Sequence, residues 1–255
     1  MRHIKLALQY DGTDYSGWQV QKKGTTIQGL LEDALFAVTN ERVRVTGTSR
    51  TDAGVHAIEQ VAVFTTRSGL GPDIFQRALN ANLPQDIRVI IAGECSADFH
   101  PRYNAKNKTY SYIISRRGIY SVFLRRYSWQ IPYRLNCTAM TEASGYLTGK
   151  HDFSCFRASG CSSKNPVREI IKIEISEPSS IEFFSFKFDV PIVRISIQAN
   201  AFLRHMARNI VGTLVEIGRD KSPASKIKEI LDSKDRRTAG QTAPARGLFL
   251  EKITY

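Results

Sequence analysis

At 255 residues with 42% hydrophobic content, the chain is long enough for two modest domains or one large one and can bury a core. Its 36 Lys and Arg stand against 24 Asp and Glu, a formal charge of +12 with a pI near 9.7. That balance favours polyanionic partners over acidic proteins or neutral metabolites. Cys95, Cys137, Cys155 and Cys161 form no CxxC, and the five histidines form no HxxxH or HExxH pair, so neither a zinc site nor a disulfide framework is expected. Reduced cytosolic thiols and a cytoplasmic location are the expectation. No apolar run approaches the ~20 residues of a membrane-spanning helix, and no basic amphipathic anchor is present.

In chain order, Ile4 to Gln9 alternates apolar and polar residues as a half-buried strand does, and Asp11-Gly12-Thr13-Asp14 ends it as a turn. Thr25 or Thr26 caps a helix with Ile27, Leu30, Leu31, Ala34, Leu35 and Val38 on one face. Arg42 to Thr46 and Gln60 to Thr65 read as two strands around a small-residue loop. Pro72 opens a second helix through Ile74, Phe75, Ala78 and Leu79, and Ile87 to Ile91 is a fourth strand. The order β-α-β-β-α-β is the split unit of a ferredoxin-like fold.

From Lys108 the pattern recurs loosely. It runs through a strand (Thr109 to Ile114), a helix (Cys137 to Leu147), strands at Glu169 to Ile175 and Ile192 to Ile197, a long helix (Phe202 to Ile217) and a last strand (Leu248 to Ile253). The expectation is an α+β fold of two ferredoxin-like halves, residues 1–104 and 105–255, sharing one antiparallel sheet. The stretches 157–165 and 232–246 read as the most mobile loops.

The loop between the second and third strands holds Arg50-Thr51-Asp52-Ala53-Gly54-Val55-His56-Ala57. An isolated Asp-x-Gly is a common turn, with the carboxylate bonding backbone N–H groups and the glycine taking positive φ. The whole string, however, resembles the signature of the tRNA pseudouridine synthase A family. The resemblance continues through Tyr10-Asp11-Gly12-Thr13 with Gly17-Trp18-Gln19, Lys108-Thr109-Tyr110, Gly149 to Phe153, Phe202 to Gly212 and Thr242 to Leu248, and so covers the chain. It implies an isomerase that converts uridine to pseudouridine at positions 38, 39 and 40 of the tRNA anticodon stem-loop, a homodimer, and an active site in a cleft between the halves.

Pseudouridine formation breaks the N-glycosidic bond, turns the base and rejoins it to the ribose through C5. No net redox change occurs, so no cofactor is demanded, and the sequence offers no GxGxxG or P-loop fingerprint. An ionised carboxylate can attack the base or the ribose, or take a ribose proton. Asp52 is the candidate, and the resemblance makes it the catalytic residue. A buried carboxylate needs a cationic partner to stay ionised.

Winding at ~3.6 residues per turn puts Arg204, Arg208, Val211 and Val215 on one stripe and His205, Asn209 and Glu216 on the polar side. The resemblance makes Arg208 the partner of Asp52. Tyr110, Tyr112 and Ile114 share one strand face; Tyr110 is a core tyrosine on burial statistics, and the resemblance makes it the uracil-contacting residue. Arg50 either fills the space vacated by an extruded uridine, or binds the adjacent phosphate, or forms a structural salt bridge. Asp11 and Asp14 read as turn residues and Asp152 as the cap of a local turn. The alternative to the enzyme is a non-catalytic RNA-binding ferredoxin-like module, against which stands the retained set of Asp52, Arg208 and Tyr110; no RNP1-type aromatic string is present.

Overall fold

Alternation organises the first strand: in β1, Arg2–Tyr10, the side chains of Ile4, Leu6, Leu8 and Tyr10 are buried in turn, as a strand with one face on the core requires. In the computed structural model, residues 1–116, 121–178, 180–183, 186–188 and 191–255 are described, with 181–183 and 186–188 described by their backbone alone. Contacts divide the chain into two units, Met1–Lys106 with Phe249–Tyr255, and Asn107–Leu248.

In the first unit β1 is followed by helix α1 (Ile27–Thr39), β2 (Thr46–Gly47), β3 (His56–Thr66), α2 (Pro72–Asn82) and β4 (Ile87–Cys95). Thr26 caps α1 by accepting from the Gly29 N–H, and Asn40 closes it at φ 56°, a left-handed residue that asparagine tolerates. Pro72 stands in the first turn of α2, where its missing N–H costs nothing. Phe75 of α2 meets Phe64 of β3 edge-on at 5.3 Å. The strands order as β4-β1-β3-β2, all antiparallel, which is the ferredoxin-like arrangement expected.

The second strand is shorter than its sequence suggests: only Thr46 and Gly47 pair, with Val63 and Ala62. At Val45 the side chains of α1 take the backbone groups that a strand neighbour would use. Its N–H donates to the Glu32 carboxylate and its carbonyl accepts from the Gln28 amide.

The second unit comprises β5 (Asn107–Arg116), β6 (Trp129–Ile131), α3 (Cys137–Gly145), β7 (Gly149–Asp152), β8 (Val167–Ser176), the antiparallel pair β9 (Ile181–Phe183) and β10 (Phe186–Phe188), β11 (Ile192–Ala199), α4 (Met206–Gly218) and α5 (Lys226–Ser233). Its strands order as β5-β11-β8-β7, antiparallel throughout, with β6 parallel to β5. Helix α4 is the core helix of this unit: Met206, Ala207, Ile210, Val211, Leu214, Val215 and Ile217 are all buried. The last strand, β12 (Leu248–Thr254), joins the first unit, where Phe249 and Leu250 pair in parallel with His56 and Ala57 of β3.

Three expectations change. The long helix begins at Met206, not Phe202, because His205 sits at φ 61°, a left-handed conformation no α-helix continues through. Arg204 is therefore off the helix, its backbone carbonyl accepting from Ala158 N–H and its guanidinium donating to the Ser159 carbonyl at 3.1 Å. Asn209, expected on the polar side, is 0% exposed. The stretch 232–246 is tied along α4: Gly240 N–H donates to Thr213 Oγ1, Gln241 N–H to Glu216 Oε1 and Ala243 N–H to the Arg208 carbonyl. Gly212 permits this approach, since a Cβ there would overlap the Gln241 carbonyl oxygen. Asp152 does cap a local turn, accepting from Ser154 N–H at 2.9 Å.

Candidate active site

Asp52 opens a tight turn, its carbonyl accepting from the Val55 N–H at 3.1 Å, with Gly54 at φ 76° in the third position. The turn rests on the segment that follows β1. Gly54 N–H donates to the Tyr15 carbonyl, Trp18 N–H to the Thr51 carbonyl, and Gly12 N–H to His56 Nδ1 at 3.1 Å. Tyr10 Oη and Thr51 Oγ1 hydrogen-bond at 2.8 Å inside the core.

Two glycines make the fit possible. A Cβ on Gly12 would overlap the Val55 carbonyl oxygen, and one on Gly17, at φ 94°, would stand 2.5 Å from the Thr51 carbonyl oxygen. The string YDGT with GWQ, noted in the sequence only as a motif, is thus the bed of the Asp52 loop. On the other side Thr48 N–H and Oγ1 both donate to the Val61 carbonyl, and the Gln60 amide holds Ser49.

Asp52 itself is half-buried, while Arg50, two residues earlier on the same loop, is exposed. His56, at the end of the motif, is buried and stacks on Phe249 with ring centroids 4.7 Å apart. Its Nδ1 lies 3.0 Å from Asp11 Oδ1, and Asp11 in turn accepts from the Thr13 N–H, so Asp11 is the turn residue expected.

In the second unit Tyr110 lies on β5 opposite Ile197 of β11, 7% exposed, its ring meeting Phe202 at 4.8 Å and 74°. Tyr112 and Ile114 on the same face are fully buried, as the period-two reading requires. The Tyr112 hydroxyl donates to the Pro244 carbonyl at 2.8 Å. Burial pushes its pKa up, and the nearby Arg208 and Arg246 cations oppose that rise.

Arg208 is half-buried in the first turn of α4, and its Nε–H donates to the Ala243 carbonyl at 2.7 Å. The first unit thus gathers Asp52 and Arg50 on one loop. The second gathers Tyr110 and Arg208 around Tyr112.

Sequence reasoning gave no role to Tyr10 or Gln60 and placed Asn209 on the polar side of its helix. All three are polar groups with little or no exposure, and a polar residue inside a strand or helix pattern is the one available signal for such a role. Among the described residues no group of three or more His, Cys, Asp or Glu side chains could hold a metal ion, and no helix is long and apolar enough to cross a membrane.

A family model described as tRNA pseudouridine synthase matches residues 6–104 and 143–255. The chain is 43% identical over 255 residues to tRNA pseudouridine synthase A of Acetivibrio thermocellus and to that of Thermoanaerobacter sp. (strain X514), covering all of both chains. To tRNA pseudouridine synthase A of Myxococcus xanthus it is 42% identical over 255 residues, covering all of this chain and 92% of that one. With the motif loop built as described, these matches span both units, and the chain belongs to the tRNA pseudouridine synthase family.

Proposed function

We propose that the protein isomerises uridine to pseudouridine in the tRNA anticodon stem-loop, at positions 38, 39 and 40. The observation that carries this reading is the Asp52 loop, where a carboxylate is presented from a turn braced by backbone bonds to Tyr15 and Trp18. A preorganised carboxylate needs no reorganisation when it meets an extruded base. Asp52 supplies the carboxylate for the glycosidic transfer, and Arg208 supplies the cation that partners it. Tyr110 gives an aromatic face for the uracil and a phenol for proton exchange. Arg50, exposed on the same loop, fills the space left by the extruded uridine or binds the neighbouring phosphate.

The reaction closes on itself chemically: the N1–C1′ bond breaks, a C5–C1′ bond forms, and the C5 proton is exchanged for one at N1. No cofactor enters that balance. The formal charge of +12 suits a polyanionic substrate, whose affinity should fall with salt at a slope of about 0.9 per phosphate neutralised on duplex RNA, taking B-DNA as the guide. The protein acts in the cytoplasm as a homodimer, for which sedimentation at working concentration is the check. The deciding experiment incubates the protein with unmodified tRNA transcripts and maps pseudouridine at each position. Product confined to 38–40 supports the reading; none anywhere with folded protein rejects the activity, and product elsewhere rejects the position.

A further inference from the structure

Arg208 and Ala243 exchange two hydrogen bonds: the Ala243 N–H donates to the Arg208 carbonyl at 3.1 Å, and Arg208 Nε–H donates back to the Ala243 carbonyl at 2.7 Å. A guanidinium on a long stem has many rotamers, and pinning Nε leaves one direction for the planar fork. What pins Ala243 is the residue before it. Thr242 Oγ1 donates to Asn209 Oδ1 at 2.7 Å, and the second terminal nitrogen of Arg236 donates both to that same oxygen and to Thr242 Oγ1, each at 3.0 Å. Asn209 Nδ2 donates to the Phe156 carbonyl at 2.7 Å, which fixes which way the amide faces. Asn209 is fully buried, and its bond to the Phe156 carbonyl is buried with it, whereas the bonds from Arg236 and Thr242 are part-buried.

We propose that Asn209, Thr242 and Arg236 form a buckle that fastens the strap 240–243 to α4 and thereby aims the Arg208 guanidinium. They are positioning residues for pseudouridine formation and act through Arg208. The proposal rests on the catalytic reading of Arg208 given above. Its chemistry is particular: Asn209 Oδ1 takes two donors, one from a neutral hydroxyl and one from a cation. The amide therefore reads the strap and Arg236 at once, and an apolar residue at 242 opens the buckle without touching α4.

The test uses the full-length protein with tRNA transcripts. Thr242→Val should lower turnover about 10- to 100-fold, the scale for a misplaced group near 1 Å, with KM and filter-binding affinity for tRNA unchanged. Thr242→Ser, which keeps the hydroxyl, should stay near wild type. Arg236→Gln, at a half-exposed position where folding is least at risk, should reproduce the Thr242→Val effect.

In an Arg208→Lys background, which has no Nε–H to aim, adding Thr242→Val should cost nothing further. Wild-type turnover in folded Thr242→Val and Arg236→Gln overturns the proposal. So does a raised KM at unchanged turnover, which would mean direct RNA contact, and so does an additive loss in the Arg208→Lys background. Wild-type activity of Arg208→Met alone would instead sink the catalytic reading of Arg208, an outcome distinct from failure of the buckle.

Discussion

Gln60 holds Ser49 by both of its backbone groups: the Ser49 N–H donates to Gln60 Oε1 at 3.2 Å, and Gln60 Nε2 donates to the Ser49 carbonyl at 2.6 Å. Gln60 is 0% exposed and Ser49 is 7% exposed, so neither bond competes with bulk water. The clamp stands three residues before Asp52 and stops the loop from peeling away from β3. Gln60→Leu leaves two buried backbone groups unpaired, a loss on the order of 2 to 4 kcal/mol. Chemical denaturation should show the lower midpoint, and turnover should fall more than tRNA affinity. An unchanged midpoint would mean the loop is held elsewhere.

Gly17 is the sharper backbone test. At φ 94° it occupies a region that side chains rarely adopt, and an added Cβ would also stand 2.5 Å from the Thr51 carbonyl oxygen and 3.0 Å from the Asp52 carbonyl carbon. Conformational strain alone costs about 1 to 2 kcal/mol, and the contact pushes the Asp52 turn itself. Gly17→Ala should therefore lose both stability and activity. Gly69→Ala is the control, since nothing lies within 4 Å of its Cβ position. Equal behaviour of the two variants would contradict the bed described for the loop.

Alkaline pH should weaken the fold through buried phenols. Burial pushes Tyr255 up to about 12 from 10.0, opposed by its bond with Thr48, and burial also raises Tyr112. A phenol that holds its proton more tightly when folded contributes stability fully present below pH about 10. That stability is lost as pH rises through the folded value. Tyr255 ties Thr48 to the Pro101 carbonyl, so Tyr255→Phe should be less stable near pH about 8 and should decline less steeply above pH about 10. Parallel curves for the two proteins from pH about 9 to 12 would exclude the phenol as the cause.

Much of this was legible in the sequence where one physical signal dominates. Period-two burial marks β1, and Thr26 and Pro72 mark helix starts by chemistry that acts within a few residues. The misses share a cause, tertiary partners far along the chain. Val45 is drawn out of a strand by Gln28 and Glu32 of α1, which no local propensity encodes. Phe202 to His205 carry helix-compatible residues, yet His205 adopts φ 61° while Phe202 packs on Tyr110. Asn209 reads as a surface residue by type and is buried because Phe156, Arg236 and Thr242 meet its amide. At the site, the Asp52 loop was readable as a string, but the reason for YDGT and GWQ became visible only in the bonds to Thr51 and His56 and in the close approach of Gly12 to the Val55 carbonyl.

Asp52→Asn tests the central claim. The substitution keeps shape while removing the charge and the nucleophilic oxygen, and by analogy with other nucleophile deletions turnover should fall on the order of 10⁴-fold. Stability should change little or rise, because a partly desolvated carboxylate is retained for chemistry and not for folding. The turn itself should survive, since the backbone bonds from Val55 N–H to the Asp52 carbonyl and from Gly54 N–H to the Tyr15 carbonyl are kept in the amide variant. Affinity for tRNA should persist, because phosphate contacts supply most of it. Arg208→Met should be inactive as well, since it removes the cation that partners Asp52, and the double variant should be scarcely worse than Asp52→Asn, because both changes act on one group. Single-turnover assays on transcripts read all three variants. Pseudouridine formed at wild-type rate by folded Asp52→Asn would return Asp52 to the part of an ordinary turn residue.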